Sequence, residues 1–382
     1  MNLADENLCT GCAACMAVCK RSAISLVTNK EGFVVRKVDA HNCVGCGECL
    51  KVCPIVCGNR SIDPLAYFAA RSKSEDVLSR STSGGVFYEV AKHVIESGGV
   101  VVGAILSKPD MVVKHVLIDH MDDLPELCKS KYVQSDVSSV YDDIREALAA
   151  GRKVLFSGTP CQTAGMRNVF REHPNLFLVA IICHSVSSQS VFSQWIEDLH
   201  ETHGSKVADV LFREKNPSWM MSECVVRFED GSAVRMPYRE QPMRKCMDVC
   251  SRMSCISCKA RNNNSGADLL IGDFWGVSSF NRDMDDDKGC SAVMALTARG
   301  LQLLQASELK IIESSRDAVL YQNPGLVRDV GLHKRRHFFL SNYKKIGVER
   351  ALARIGVRPL WYRVARKMYR AMRFAFANRR VI

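Results

Sequence analysis

No run of eighteen apolar residues occurs in this chain, which argues against a membrane-spanning helix. The N-terminus, MNLADENLCTGC, has neither a basic segment nor an apolar core and does not read as a secretory signal. No Gly-x-Gly-x-x-Gly follows a strand and no Walker A loop is present, so a standard dinucleotide or P-loop site is not indicated, and a nicotinamide is not expected as direct reductant. Basic charge is also scarce over most of the length. The net charge of +11 comes from residues 331–382, which hold fifteen Lys and Arg against one acid, Glu349. The remainder carries 37 Lys+Arg and 40 Asp+Glu, so the body lacks a nucleic-acid footprint. A cytoplasmic location follows as an expectation.

Cysteine, by contrast, is abundant: eighteen among 382 residues. A reducing compartment makes disulfides a poor explanation and metal binding a good one. Nine cysteines lie in residues 1–58, in two similar arms. Cys9, Cys12, Cys15 and Cys19 are followed by Cys43, Cys46, Cys49 and Cys53, the last preceding Pro54. Thiolates at i, i+3 and i+6 can converge from one tight loop, and in two-cluster ferredoxins the fourth cysteine of each arm ligates the other cluster. The spacing therefore assigns Cys9, Cys12, Cys15 and Cys53 to one [4Fe–4S] cluster and Cys43, Cys46, Cys49 and Cys19 to a second. Zinc knots seldom carry a third cysteine three residues on. Lys20 stands where the second arm has Pro54, and Cys57 is surplus.

Length and composition suggest two or three domains of an ordinary globular kind. Between the arms, residues 24–27 and 33–35 flank the turn Asn29-Lys30-Glu31-Gly32 and read as a hairpin. Residues 58–64 read as a linker. Beyond it, strand-like runs at 100–106, 154–157, 176–183, 269–274 and 292–297 alternate with helical patterns at 86–96, 140–150 and 162–170, predicting an α/β core with parallel strands. The acid-rich stretch 281–289 reads as an exposed loop. The expected class is thus α/β, α+β overall: a bacterial-type ferredoxin domain, a core and a basic helical tail.

The core also resembles the beta-subunit family of the coenzyme F420-reducing hydrogenases and dehydrogenases. The matching segments include Ser81-Thr82-Ser83-Gly84-Gly85-Val86-Phe87, Ser130-Lys131-Tyr132-Val133-Gln134-Ser135, Phe156-Ser157-Gly158-Thr159-Pro160-Cys161-Gln162 and Ile182-Cys183-His184-Ser185-Val186. They continue through Arg252-Met253-Ser254-Cys255-Ile256-Ser257-Cys258-Lys259 and Ile271-Gly272-Asp273-Phe274-Trp275-Gly276. The resemblance implies regions at 65–150 and 151–330, and a flavin, usually FAD, exchanging electrons with iron–sulfur clusters and a diffusible acceptor. Under it Ser83, Gly84 and Gly85, before a helix, can receive a pyrophosphate. Lys131 and Tyr132 can meet the flavin through charge and stacking; Gly158, Thr159 and Asp273 complete the expected cofactor contacts. A serine-glycine turn, a solvated Lys and a core Tyr are the plainer readings of the same residues. His184, after a strand, is the candidate proton donor, although a single histidine is more often structural.

A third [4Fe–4S] cluster is expected on Cys161, Cys183, Cys255 and Cys258. A β-α-β unit puts Cys161 and Cys183 on one carboxyl edge of the sheet. The rival set is Cys246, Cys250, Cys255 and Cys258. Residues 360–378 form an amphipathic pattern, with Trp361, Val364, Met368, Met372 and Phe376 on one stripe, suited to an anionic membrane surface, to docking on the body with its cations solvated, or to an acidic ferredoxin. The combined reading is an iron–sulfur flavoprotein oxidoreductase with ferredoxin or another low-potential donor as partner. The acceptor is coenzyme F420 or another small organic molecule. Its rivals are a ferredoxin-dependent reductase in surface-polysaccharide synthesis and a non-catalytic relay subunit.

Overall fold

The computed structural model describes residue 3, residues 5–58 and residues 61–356. The N-terminal arms open with short helices, Ala14–Ala17 and Glu48–Val52, each entered through a left-handed residue, Ala13 at φ 61° and Gly47 at φ 78°. That repeated reversal lets each cysteine loop curl back on itself. Between the arms lies the expected antiparallel hairpin, β1 (Ile24–Thr28) and β2 (Val34–Val38).

The core is built on β3 (Ala66–Ser72), β4 (Val100–Ser107), β5 (Val112–Ile118), β6 (Val154–Gly158) and β7 (Leu176–Ile181). A small sheet follows, of β8 (Val207–Glu214), β9 (Glu223–Phe228) and β10 (Ala233–Pro237). The remaining strands are β11 (Leu269–Asp273), β12 (Ser291–Ala295) and β13 (Leu309–Ser314). Eight of them form one sheet in the order β13-β3-β12-β11-β7-β6-β4-β5. The sheet is mixed rather than parallel throughout: β4, β6, β7, β11 and β3 run one way, and β5, β12 and β13 oppose them. Strands from both 65–150 and 151–330 share it. The strand expected at 176–183 stops at Ile181, which leaves Cys183 in the loop beyond the sheet edge.

Val154, Leu155 and Phe156 of β6 are all fully buried, as a central strand covered on both faces requires. One apolar cluster contains Phe156, Leu178 and Leu270 together with Cys12, Ala13 and Ala14, so the ferredoxin-type domain shares the core of the sheet domain. The small sheet stands over the carboxyl edge of the large one: Arg213 of β8 pairs with Asp273 at the end of β11, and Lys129 with Glu214. The acid-rich stretch is not a free loop, since Met284 is buried and Asp286 pairs with Arg71.

The helices Arg336–Ile346 and Val348–Ile355 bury Phe339, Tyr343, Val348 and Leu352 in the second apolar cluster. The first part of the basic tail is therefore core structure, and the amphipathic stretch 360–378 lies outside the described residues. No helix among the described residues is long and apolar enough to cross a membrane.

Candidate functional site

Three places gather the residues that the sequence singled out. The first is a cavity in the N-terminal domain lined by Cys9, Cys12, Cys15 and Cys53, the crossed set. Burial raises the Cys15 thiol to about 12, with Cys9, Cys53 and Cys49 adding to the rise. Cys49 in turn is raised first by burial, then by Cys46, Cys19 and Cys43, the members of the other crossed set. That second loop faces outward, with Cys46 exposed and Val44 64% exposed. The interleaved cysteines fit two clusters.

The inner loop is set against the helix Pro160–Phe170. A Cβ on Gly165 would stand 3.1 Å from both Cβ and Sγ of Cys12, so a side chain there would push the two domains apart. Tyr141, buried, donates its hydroxyl to the Cys12 carbonyl at 2.7 Å. Cys161 opens that same helix, four residues before Gly165 and on the same face.

Cys161 belongs to the second place, at the carboxyl edge of β6 and β7. It is raised first by burial and then by Cys258; Cys183 is raised first by burial and then by Cys255, Cys161 and Cys258. Cys255 is pushed to about 12 by burial, with Cys161 and Cys258 contributing. Four thiols from three chain segments thus sit within electrostatic reach of one another. Among the described residues no three His, Cys, Asp or Glu side chains close to the distance of a single ion. Cys246 and Cys250 lie elsewhere, buried with Phe339 and Tyr343.

Thr159 caps the helix in a capping box with Gln162, and its Oγ1 lies 3.2 Å from the Cys161 sulfur. Gly158 and Thr159 therefore adjoin the cysteine site. So does His184, whose Nε2 meets Asp248 Oδ1 at 2.9 Å. Burial works to raise the Asp248 carboxyl, but His184 and Arg244 hold it below its ordinary range.

The third place is a cleft of about 210 Å³, open to solvent, where the loop before Tyr132 meets β8. Of its cations, Lys108 pairs with Asp209, Lys129 with Glu214 and Arg80 with Asp76. Lys131 donates to the carbonyls of Glu126 and Cys128 at 2.8 and 2.7 Å, keeping a third N–H, and burial lowers its amine to about 8. Ser130 donates its amide to Thr82 Oγ1, joining this wall to the serine-glycine turn.

The turn itself is fastened to the sheet. Gly84 donates to Ser291 Oγ, and a Cβ there would stand 2.5 Å from the Ala70 carbonyl. The Ser83 carbonyl accepts from Lys215 Nζ, and Gly85, at φ 79°, caps the helix Val86–Glu96. Tyr132 packs against Tyr238 and Phe212. Asp273 holds the buried Arg213 at 2.5 Å and accepts from Trp219 Nε1 at 2.9 Å. The residues expected around one cofactor are thus spread over a cleft, a cysteine site and an aromatic–arginine cage.

Fold and cysteine geometry together define an iron–sulfur protein with a ferredoxin-like domain on a mixed-sheet core. Family models agree on what it is: residues 67–142 match the N-terminal model and residues 151–317 the C-terminal model of the coenzyme F420 hydrogenase/dehydrogenase beta subunit. Residues 8–57 match the 4Fe-4S dicluster domain. The chain belongs to the coenzyme F420 hydrogenase/dehydrogenase beta-subunit family. No curated protein sequence matches it. A solved chain of the F420-reducing [NiFe] hydrogenase complex from Methanosarcina barkeri is 18% identical, over 78% of this chain and 95% of that one, with a TM-score of 0.47.

Proposed function

We propose that this protein is a three-cluster iron–sulfur flavoprotein oxidoreductase, linking a low-potential redox protein to a small-molecule acceptor. The observation that carries the reading is the convergence of Cys161, Cys183, Cys255 and Cys258 one helical turn from the Cys12 loop. The route begins at the exposed Cys43–Cys49 loop, where a donor such as ferredoxin can dock. It continues through the Cys9–Cys53 cavity, past Tyr141 and the Gly165 face, to the second cysteine site. The buried Tyr141 hydroxyl, donated to the Cys12 carbonyl, holds the inner loop against the core along this route.

The solvent-open cleft is the proposed seat of FAD, with Lys131 toward its phosphates. Bound there, a flavin supplies the exchange between one-electron and two-electron chemistry. The spare N–H of Lys131, beyond those given to the Glu126 and Cys128 carbonyls, fits such a group. Lys215 and Ser291 hold the serine-glycine turn that forms the adjoining wall, and Asp273 acts through Arg213 rather than on the cofactor. His184, beside Cys183, is retained as a proton donor for chemistry near that site. The cleft favours an enzyme over a bare relay. Coenzyme F420 is the acceptor to test first, with other small organic acceptors, including those of surface-polysaccharide synthesis, as alternatives. The basic stretch beyond residue 356 is proposed to hold the protein at an anionic membrane face.

The test is anaerobic purification of the full chain, release of FAD on denaturation, and ferredoxin-driven reduction of F420. FAD near one per chain and F420 turnover support the proposal. Full iron loading with no FAD bound, even on addition, refutes it.

A further inference from the structure

Arg252 is a buried cation. It is 3% exposed, and among the described residues no carboxylate pairs with it. Its Nε donates to the Cys9 carbonyl and one Nη to the Val34 carbonyl, both at 2.7 Å. The other Nη has no hydrogen-bond partner, and a Cβ on Gly11 would stand 3.3 Å from it. The guanidinium also lies over the Phe33 ring, 5.4 Å from its centre. All of these contacts are to the N-terminal domain. The backbone of Arg252, however, belongs to the other cysteine site. Its carbonyl accepts from the Cys255 amide at 2.9 Å, its amide donates to the Val186 carbonyl, and its charge draws the Cys161 and Cys255 thiols downward.

A buried guanidinium held only by carbonyls and an aromatic face is costly unless negative charge lies nearby. Here negative charge belongs on both sides, since each set of four thiolates with its iron and sulfide is anionic. We propose that Arg252 is the shared counter-ion and positioning residue of two clusters, the one on Cys9, Cys12, Cys15 and Cys53 and the one on Cys161, Cys183, Cys255 and Cys258. It ties the Cys9 loop to the Cys255 loop, and its fixed charge raises both reduction potentials. On reduction each cluster would gain one electron and one negative charge from the low-potential donor. The outward-facing site on Cys19, Cys43, Cys46 and Cys49 receives no contact from it. The inference rests on the three-cluster reading.

The experiment is an EPR-monitored redox titration of the reconstituted full chain and of R252K and R252Q, with iron determined on each sample. R252Q is expected to keep its iron and move two of three midpoints to more negative potential. Each shift should be at least tenfold in the one-electron equilibrium, about 59 mV, with the third midpoint unmoved. R252K should restore most of the shift. Loss of about four irons from R252Q alone, with R252K loaded at wild-type potentials, would also support a need for the charge. Unmoved midpoints in a fully loaded R252Q would overturn the inference, and so would equal iron loss in both variants, which would make Arg252 a strut. A wild-type content of about eight irons would instead remove the three-cluster reading, a distinct result read before any variant.

Discussion

Replacing Asp273 with Asn removes the only carboxylate that pairs with Arg213 among the described residues, and the consequence can be worked from the geometry. Arg213 is 2% exposed, between the rings of Trp275 and Tyr238 at 4.8 and 5.2 Å, with its Nε on Ser222 Oγ and one Nη already unpartnered. Burial alone would lower its pKa, yet Asp273, with smaller help from Tyr132, holds it above the ordinary value. The Asn amide can still accept from Trp219, but it faces the guanidinium with no charge. Breaking one side of such a buried pair costs about 3–5 kcal/mol. At about 2–4 °C per kcal/mol for a domain of this order, the melting temperature should fall by roughly 6–20 °C. Arg213→Met combined with Asp273→Asn should recover much of that loss, because the stranded charge is gone. Anaerobic scanning calorimetry at one fixed scan rate makes the comparison. A fall below about 2 °C in Asp273→Asn, or an additive double variant, would refute the assignment of Asp273 as the partner of Arg213.

Other outcomes follow from single contacts. Lys131, with its amine lowered from 10.5 to about 8 by burial, loses its charge as pH rises through 8. FAD affinity measured by fluorescence quenching should weaken about tenfold between pH 7 and 9, and Lys131→Met should flatten the profile; a flat wild-type profile contradicts this. The sign for stability is opposite: the unfolded chain binds the extra proton between pH 8 and 10.5, so the Lys131 contribution to stability rises over that window. Gly165→Val places methyl groups against the Cys12 sulfur and should cost about 1–3 kcal/mol of domain docking. It should slow ferredoxin-driven reduction of the flavin at unchanged iron content; a wild-type rate would exclude this face from the route. A chain ending at Gly356 keeps Leu352 and Ile355 in the core, and should melt as the full chain does but lose salt-sensitive binding to anionic vesicles. Equal vesicle binding by both chains would dismiss the membrane role.

The cysteine sites were legible because their chemistry is written in local spacing. Three ligands at i, i+3 and i+6 demand a tight loop, and a simple β-α-β unit sends Cys161 and Cys183 to the same edge. The flavin contacts were less legible, because the matching segments mark one region of the sheet edge without saying which residues face a ligand. Gly84, Thr159 and Asp273 turned out to hold structure together: a sheet contact, a helix cap and an ion pair. The small sheet β8–β10 was missed, although Asp230-Gly231 between alternating apolar residues is a hairpin signal. Arg213 carried no local signal, whereas Arg252 opens a family-matching segment in a loop whose Arg and Lys were expected to offset cluster charge; only the tertiary fold makes either a buried cation, and Arg252 one that reaches the Cys9 loop. The tail was read as one unit because its charge is uniform, whereas the apolar positions Phe339 to Ile355 dock and the later ones are outside the described residues.

Iron determination with EPR spin counting, on anaerobically reconstituted wild type, Cys161→Ser and Cys183→Ser, tests the central claim most directly. The account predicts about twelve irons per chain in the wild type and about eight in each variant, with the two N-terminal signals intact. About eight irons in all three proteins would contradict it, and loss on replacing Cys246 or Cys250 instead would move the third cluster to the rival set.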